Sequence, residues 1–240
     1  FFTNSGTEGV EGALKIARQA TGRSKVIYCD KAFHGLTLGA LSANGNEEFR
    51  GGNEPLLPDF VPIPFNDLEA LEQALAPGDT AAFIFEPVQG KGVFLPDPDY
   101  FPRVEELCRK HKTLLIADEV QTGFGRTGKM FAMEHWDTAP DMMVVSKSLS
   151  GGYIPVGAIL MRRDIHSKVF DSMERCFAHS NTFGQNDLAM AAGLATLEVL
   201  REEWLVDRSE EIGSYLLNGL RALNDRYELL SEIRGLGLMI

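Results

Sequence analysis

Short apolar runs that alternate with amphipathic helical patterns are the feature that most constrains the fold of this chain. Five runs have the length and composition of buried strands: residues 26–29, 81–86, 113–118, 142–146 and 157–161. Helical patterns occupy residues 8–20, 66–76, 98–111, about 185–201 and about 208–224. This alternation predicts an α/β fold in which helices flank a mostly parallel sheet.

Three polar residues stand at the carboxyl ends of predicted strands. Glu86 and Asp118 close two apolar runs, and Lys147 follows a third. Because open α/β sheets bind their ligands beyond the carboxyl ends of the strands, we expect these side chains at one edge of the sheet.

Composition restricts the partners that the chain can bind. The formal net charge of −11 disfavours a nucleic-acid interface or an anionic membrane surface, since both require clustered cations. Cys29, Cys108 and Cys176 lack the spacing of a disulfide framework or a zinc site, so we expect no metal. No apolar run approaches the roughly 18 residues of a membrane span. These features predict a cytoplasmic protein with small-molecule partners.

The segment LLIADEVQTGFGRTGKM contains three patterns that resemble nucleotide sites. Asp118 and Glu119 end a strand as magnesium-binding carboxylates do, residues 123–128 fit GxGxxG, and the GxxxxGK pattern ends at Lys129. A working P-loop has Ser or Thr after its lysine, where this chain has Met130. We interpret the glycine-rich stretch, residues 123–128, as a connecting turn on the surface. An ATPase that uses Asp118, Glu119 and Lys129 remains an alternative, as does a binding module without chemistry.

Two further segments suggest a phosphate site and a reactive amine. SGTE, residues 5–8, fits a capping box, which would direct the backbone amides of Gly6 and Thr7 outward at the start of a helix. Such a helix end binds phosphate, although it is also an ordinary cap. Lys147 lies among small residues in SKSLSGG, where a desolvated amine could form a Schiff base with an aldehyde.

Six segments in order, NSGTEGVEGALKIAR, FHGLTLGALS, FEPVQGKG, LLIADEVQTGFGRTGKMFAMEH, SKSLSGGYIPVGA and NTFGQNDLAMAA, resemble the class III pyridoxal-phosphate-dependent aminotransferases. That family includes acetylornithine, ornithine and putrescine enzymes. The likeness extends over essentially the whole chain, and Asp118 precedes Lys147 by 29 positions, as the acid and the lysine of the family do. The resemblance implies a fold type I large domain with pyridoxal 5'-phosphate as its cofactor.

Carried over residue by residue, the resemblance implies roles for the strand-end side chains. Lys147 would form the Schiff base with the cofactor, and Asp118 would pair with the ring nitrogen and make the ring an electron sink. Gln121 would bond the ring hydroxyl. Val120 would pack under the ring, and Phe33 would stack on its other face.

The same comparison implies a shared site in a homodimer. Gly6 and Thr7 would hold the phosphate together with Thr182 of the second subunit. On the substrate side, Glu86 would pair with an arginine from a later part of the chain. Asn181 and Leu36 complete the predicted substrate-side set.

One departure from the family bears on the substrate. Acetylornithine and ornithine enzymes have an arginine where this chain has Leu36, and leucine cannot pair with a carboxylate. We therefore expect an ω-amine or diamine donor, such as putrescine, and a 2-oxo acid acceptor, such as 2-oxoglutarate. An acetylornithine or ornithine aminotransferase is the alternative within the family.

The predicted domain organisation follows the same resemblance. Residues 1–230 would form the cofactor-binding large domain, incomplete at its amino terminus because FFTNSGTEG begins within a strand pattern. Residues 231–240 would begin a smaller, truncated carboxyl-terminal domain.

Overall fold

Seven strands form one sheet in the order β1-β7-β6-β5-β4-β2-β3. The computed structural model describes residues 1–227 and 230–240. The strands are β1 Phe2–Thr3, β2 Lys25–Cys29, β3 Phe60–Ile63, β4 Thr80–Phe85, β5 Leu114–Asp118, β6 Met142–Val145 and β7 Gly157–Met161. The pairs from β3 through β6 are parallel, whereas β7 pairs antiparallel with both β6 and β1. The predicted α/β fold with a mostly parallel sheet is therefore confirmed.

Helices cover both faces of the sheet. In the described residues the α-helices are α1 Gly6–Thr21, α2 Leu38–Ser42, α3 Glu47–Arg50, α4 Leu68–Leu75, α5 Tyr100–His111, α6 Arg163–Val169, α7 Asp187–Glu202 and α8 Leu205–Tyr227. Of these, α1 and α6 pack on one face of the sheet and α4 and α5 on the other. Short 3-10 helices occupy Ala132–Trp136, Lys147–Ser150 and Met173–Arg175. The helix α1 begins at the cap Ser5, whose Oγ accepts the amide of Glu8 at 3.3 Å. It ends at Gly22, whose φ of 68° suits a glycine C-cap.

Alternation along the strands divides the core into two layers. Ala82, Ile84 and Ile116 pack on the face covered by α1 and α6. Their neighbours Phe83 and Leu115 point to the opposite face, where α4 and α5 lie. Since successive side chains of a strand alternate between faces, this register also determines where the strand-end residues point.

The structure contains several elements that the sequence patterns did not predict. The missed elements are β3, α2, α3 and α6. Each has four to seven residues, too few to show a clear period. Pro62 within β3 also favours a loop by local propensity, but β3 lies at the edge of the sheet beside β2, and an edge strand tolerates proline.

Residues 230–240 pack against the rest of the chain. The amide of Leu238 donates to the carbonyl of Arg126 at 2.9 Å, and Met239 is buried. Gly237 fits so closely against Gly213 of α8 that a Cβ on Gly213 would lie 1.9 Å from the Gly237 carbonyl oxygen. A domain boundary after residue 230 stays a prediction. No helix within the described ranges is both long enough and apolar enough to cross a bilayer.

Candidate active site

A cleft of about 660 Å³ opens at the carboxyl edge of the parallel strands. Glu86 and Asp118 continue the register of Ile84 and Ile116, so both belong to the α1 side of the sheet. Nine predicted site residues line this cleft: Gly6, Thr7, Phe33, Leu36, Glu86, Asp118, Val120, Gln121 and Lys147. Side chains from sequence-distant segments therefore meet in one place, as the strand-end argument predicted.

Asp118 is fixed by two hydrogen bonds and is only 5% exposed. Its Oδ1 accepts the amide of Val120 at 3.1 Å, and its Oδ2 lies 2.8 Å from Nδ1 of His34. These contacts determine the orientation of the carboxylate at the inner wall of the cleft.

Sequence reasoning assigned no role to His34, which the structure places beside Asp118. The His34 side chain is fully buried, and its amide donates to Oδ1 of Asn44 at 2.7 Å. Nε2 of His34 is buried without a hydrogen-bond partner among the described residues. The sequence could have indicated His34 as a site residue only through its position directly after Phe33. Its contact with Asp118 joins residues 84 positions apart, and no local pattern reveals such a contact.

Lys147 begins the 3-10 helix Lys147–Ser150 in an unusual backbone conformation. Its φ is 40°, in the left-handed region that non-glycine residues rarely occupy. Nζ donates to Oε1 of Gln121 at 3.2 Å. The sequence predicted a desolvated amine, but Lys147 is exposed, so the described residues do not by themselves bury it. Lys147 nevertheless lines the cleft, and its side chain remains accessible.

The helix α1 begins where the capping-box pattern predicted, and its amino terminus lines the cleft. Only the Ser5 half of the box forms in the described residues, because the Glu8 carboxylate bonds a different amide. Oε2 of Glu8 accepts the amide of Asn4 at 2.8 Å, so the carboxylate reaches back one residue beyond the cap itself. The amides of Gly6 and Thr7 have no acceptor among the described residues. Two free amides at the positive end of a 16-residue helix favour an anion at this point.

Close packing holds this helix end against the rest of the site. A Cβ on Gly6 would lie 2.8 Å from a methyl group of Val120, so this approach requires glycine. Oγ1 of Thr7 lies 2.8 Å from Oγ1 of Thr37, which tethers the Gly35–Thr37 loop beside the helix end. The amino-terminal end of α1 and Val120, two residues after Asp118, are therefore in direct contact.

Glu86 is buried and connects two loops of the cleft. Its Oε1 accepts the amide of Phe33 and its Oε2 accepts the amide of Gly90, each at 2.9 Å. Burial raises the pKa of Glu86 to about 7; nearby His34 opposes this rise, and Asp118 adds to it. Phe33 is half-buried at the cleft wall and packs edge-on against Phe49 at 5.1 Å between ring centroids.

Asn181 and Thr182 are not among the residues that line the cleft. Nδ2 of Asn181 donates to the carbonyl of Phe2 at 2.9 Å, which secures this turn against β1. Thr182 is exposed. The structure thus separates these two from the other nine predicted site residues.

The nucleotide-like motifs have structural uses. Glu119 is fully buried, where it accepts the hydroxyl of Thr122 and, at 2.9 Å, the amide of Met133. Gly128 has a φ of 87° and packs on α8, where a Cβ would lie 2.9 Å from Glu210. The glycine-rich stretch therefore forms a turn, as the sequence predicted, but the turn is packed against α8 and mostly buried rather than on the surface. Glu119 is unavailable to a metal.

Comparison with known proteins gives consistent matches. The family model described as aminotransferase class-III matches residues 1–240. The aminotransferase PigE from Serratia sp. (strain ATCC 39006) is 44% identical over 241 residues, which cover 100% of this chain and 28% of PigE.

Solved structures match over nearly the whole chain. The ornithine aminotransferase of Toxoplasma gondii ME49 superposes with a TM-score of 0.93 at 38% identity, covering 99% of this chain and 57% of that enzyme. A PLP-bound amine transaminase from an uncultivated Pseudomonas species superposes with a TM-score of 0.90 at 34% identity, covering 98% of this chain and 60% of that enzyme. The chain thus spans less than two thirds of these relatives.

Proposed function

This chain belongs to the class III aminotransferases, a family dependent on pyridoxal 5'-phosphate, and we propose that its cleft holds that cofactor on Lys147 for transamination by the full-length protein. The observation that carries the proposal is that a buried carboxylate, a lysine amine and an open helix amino terminus line one cleft. These are the three groups that a pyridinium nitrogen, an aldehyde and a phosphate require.

The residues present fit the cofactor in both charge and shape. The free amides of Gly6 and Thr7 would take the phosphate at the positive end of α1. Val120 and Phe33 line the same cleft and supply the apolar surfaces between which an aromatic ring would lie. Gln121, in contact with the Lys147 amine, would bond the ring hydroxyl.

When bound, pyridoxal 5'-phosphate supplies an aldehyde that reacts with amines and a ring that stabilises negative charge on a neighbouring carbon. Asp118 would hold a proton on the ring nitrogen, because a buried carboxylate favours an adjacent cation. The hydrogen bond from the amide of Val120 and the contact with His34 keep that carboxylate aimed into the cleft. Asp118 thus supplies a charge that needs little reorganisation during the reaction.

Lys147 would act as the acid–base group once its amine is free. Its Nζ reaches the mouth of the cleft and contacts only Gln121 among the described residues. An amine at this position would move a proton between the substrate carbon and the aldehyde-derived carbon of the cofactor, which lie on either side of the transferred nitrogen. Exposure of the Lys147 side chain allows the movement that this transfer requires.

The lining of the cleft favours an ω-amine or diamine as the amino donor. The proposed acceptor is a 2-oxo acid such as 2-oxoglutarate. Leu36 lines the cleft with 58% of its surface exposed, and its apolar side chain offers no pair for a donor carboxylate. Glu86 lies deep in the same cleft and supplies a carboxyl group. An acetylornithine or ornithine aminotransferase remains the second candidate, favoured by the match to the Toxoplasma ornithine enzyme.

We further propose that the site is shared between two subunits. Thr182 lies outside the cleft of its own chain and is exposed, as a residue donated to a neighbouring cleft would be. Large apolar side chains near it are also exposed: Phe177 by 81% and Phe183 by 71%. Such exposure is typical of an interface rather than of a free surface.

Trapping the cofactor tests the proposed function directly. The full-length protein is incubated with pyridoxal phosphate, reduced with borohydride and digested, and the labelled peptide is mapped by mass spectrometry. We expect a pyridoxyl group on Lys147. A folded protein without label on Lys147 would refute the proposal.

A donor competition separates the substrate candidates. Putrescine and acetylornithine are supplied together with 2-oxoglutarate, and the products are quantified. Leu36→Arg serves as the matched variant, because it restores a carboxylate partner. We expect preference for putrescine in the wild type and a shift toward acetylornithine in L36R. A wild-type preference for acetylornithine would overturn the diamine assignment.

A further inference from the structure

Residues 89–94 form a short turn beside the cleft, and residues distant in the sequence hold this turn in place. We name these residues the clamped turn. An antiparallel bridge joins its ends, with the amide of Gln89 donating to the carbonyl of Phe94 at 3.1 Å. Nε2 of Gln89 also donates to the carbonyl of Asp30 at 2.7 Å, which anchors the turn to the end of β2.

The middle of the clamped turn is strained. Val93 has a φ of 51°, and a β-branched residue in the left-handed region is a genuine outlier. Gly92, which precedes it, has a φ of 92° and adopts that value without a steric penalty. A strained valine persists only where surrounding contacts over-determine its conformation, so an external restraint must act here.

Arg234 supplies that restraint from a distant part of the chain. Its Nε donates to the carbonyl of Val93 at 2.8 Å, and its Nη2 donates to the carbonyl of Gly92 at 2.6 Å. The guanidinium carbon lies 4.6 Å from the ring centroid of Phe94. A planar, always charged group therefore contacts three successive residues of the turn.

The clamped turn touches the site through Gly90. A Cβ on Gly90 would lie 2.5 Å from Oε1 of Gln121, the same atom that accepts the Lys147 amine. The amide of Gly90 also donates to Glu86. A continuous set of contacts thus runs from Arg234 through the turn to the groups that face Lys147.

We propose that Arg234 is a positioning residue, which holds the clamped turn in its strained form and thereby fixes Gln121 against the Lys147 amine. The proposal rests on the function proposed above, because it concerns the same cleft. It assigns no contact with substrate to Arg234. The position of Gln121 in the wall of the cleft therefore depends on residues 230–240, the segment that carries Arg234.

Hydrogen exchange tests the clamp without any need for catalysis. Arg234→Ala and Arg234→Lys are made in the full-length protein, and exchange is followed by mass spectrometry in the peptide that covers residues 89–94. Arg226→Ala is the control, because Arg226 is exposed and its guanidinium lies over the ring of its neighbour Tyr227. We expect faster exchange in R234A, an intermediate rate in R234K and no change in R226A. Wild-type exchange in R234A would overturn the proposal.

Kinetics with the loaded enzyme test the effect on the site. We expect R234A to keep its pyridoxyl label on Lys147 while kcat/KM for the amine donor falls about tenfold, the loss typical of a charged hydrogen bond. In a Val93→Gly background the same change should cost less, because glycine holds the left-handed conformation unaided. Equal losses in both backgrounds would refute the role of strain.

The two proposals fail separately. A wild-type protein that takes no label on Lys147 would refute the proposed function, whereas the exchange experiment would still test the clamp. A labelled enzyme with unchanged kinetics in R234A would refute the positioning role alone.

Discussion

The two sides of the cleft differ in how completely the chain itself builds them. On the acid side, Asp118, Glu86 and His34 are each no more than 5% exposed and share hydrogen bonds with backbone amides or with one another. On the lysine side, Lys147 and Gln121 are exposed, and each contacts the other. The core therefore preorganises the buried carboxyl groups, whereas the amine that we propose to transfer a proton is left free to move.

Removal of the lysine amine should produce the largest loss of activity. We expect Lys147→Ala in the full-length protein to lower turnover by about 10⁴-fold or more, the scale of losing a covalent catalytic group. Labelling after borohydride reduction should disappear at the same time. Turnover close to that of the wild type, or the same label on another lysine, would contradict the assignment.

Neutralising the fixed charge should produce the next largest effect. We expect Asp118→Asn to lower kcat by about 10²- to 10³-fold, because the amide keeps the shape of the side chain but loses the charge that would face the ring nitrogen in the proposed complex. The matched control is Glu119→Gln at the next position, whose side chain points into the packed turn. That control should lower the free energy of unfolding and leave cofactor binding intact. Equal kinetic losses in the two variants would remove the distinction.

The raised pKa of Glu86 predicts a pH dependence that belongs to the acid side. A carboxyl whose pKa rises from 4.5 to about 7 on folding stabilises the protein below pH 4.5, and this stability is lost as the pH rises through 7. The shift corresponds to about 3 kcal/mol. We expect the free energy of unfolding of the wild type to fall by up to that amount, relative to Glu86→Gln, between pH 5 and pH 8.

Urea titrations of both proteins across that pH range check this expectation. Glutamine loses one of the two backbone contacts of Glu86, so E86Q should be the less stable protein at pH 5. The gap between the two should narrow as the pH rises. A constant gap would mean that Glu86 ionises in the folded protein as it does in the unfolded chain.

On the acid side, the sequence predicted the two carboxyl groups but not the histidine that contacts one of them. The period of the strands and their polar ends located Glu86, Asp118 and Lys147, because these signals are local. The contact of His34 with Asp118 joins residues 84 positions apart, and the hold of Arg234 on Val93 joins residues 141 apart. Such contacts arise from tertiary packing, which one sequence does not encode in any short pattern.

Exposure of the lysine was missed for a related reason. Small neighbours in SKSLSGG suggested a buried amine, whereas burial depends on what else packs over residues 147–152. The left-handed backbone at Lys147 likewise has no signature in the residue type, since lysine is not favoured there.

That backbone strain predicts a smaller effect, on stability rather than on rate. Lys147→Gly should be more stable than Lys147→Ala by about 1 kcal/mol, because glycine adopts a positive φ without steric cost. At Lys15, inside α1, the same pair should rank in the opposite order by a similar amount, since glycine weakens a helix. Urea midpoints of the four variants provide the measurement. A less stable K147G than K147A would argue that the left-handed conformation is not strained.

The smallest effect is expected at Lys129. Its measurement distinguishes the proposed aminotransferase from the nucleotide-binding alternative. Lys129 is half-buried in the packed turn and does not line the cleft. We expect Lys129→Ala to change the free energy of unfolding by less than about 0.5 kcal/mol and to leave turnover and the Lys147 label unaltered. An ATPase that used this lysine would instead lose magnesium-dependent ATP binding in K129A. Measuring ATP binding and labelling on the same preparation tests both lysines together, because each hypothesis assigns the active amine to only one of them.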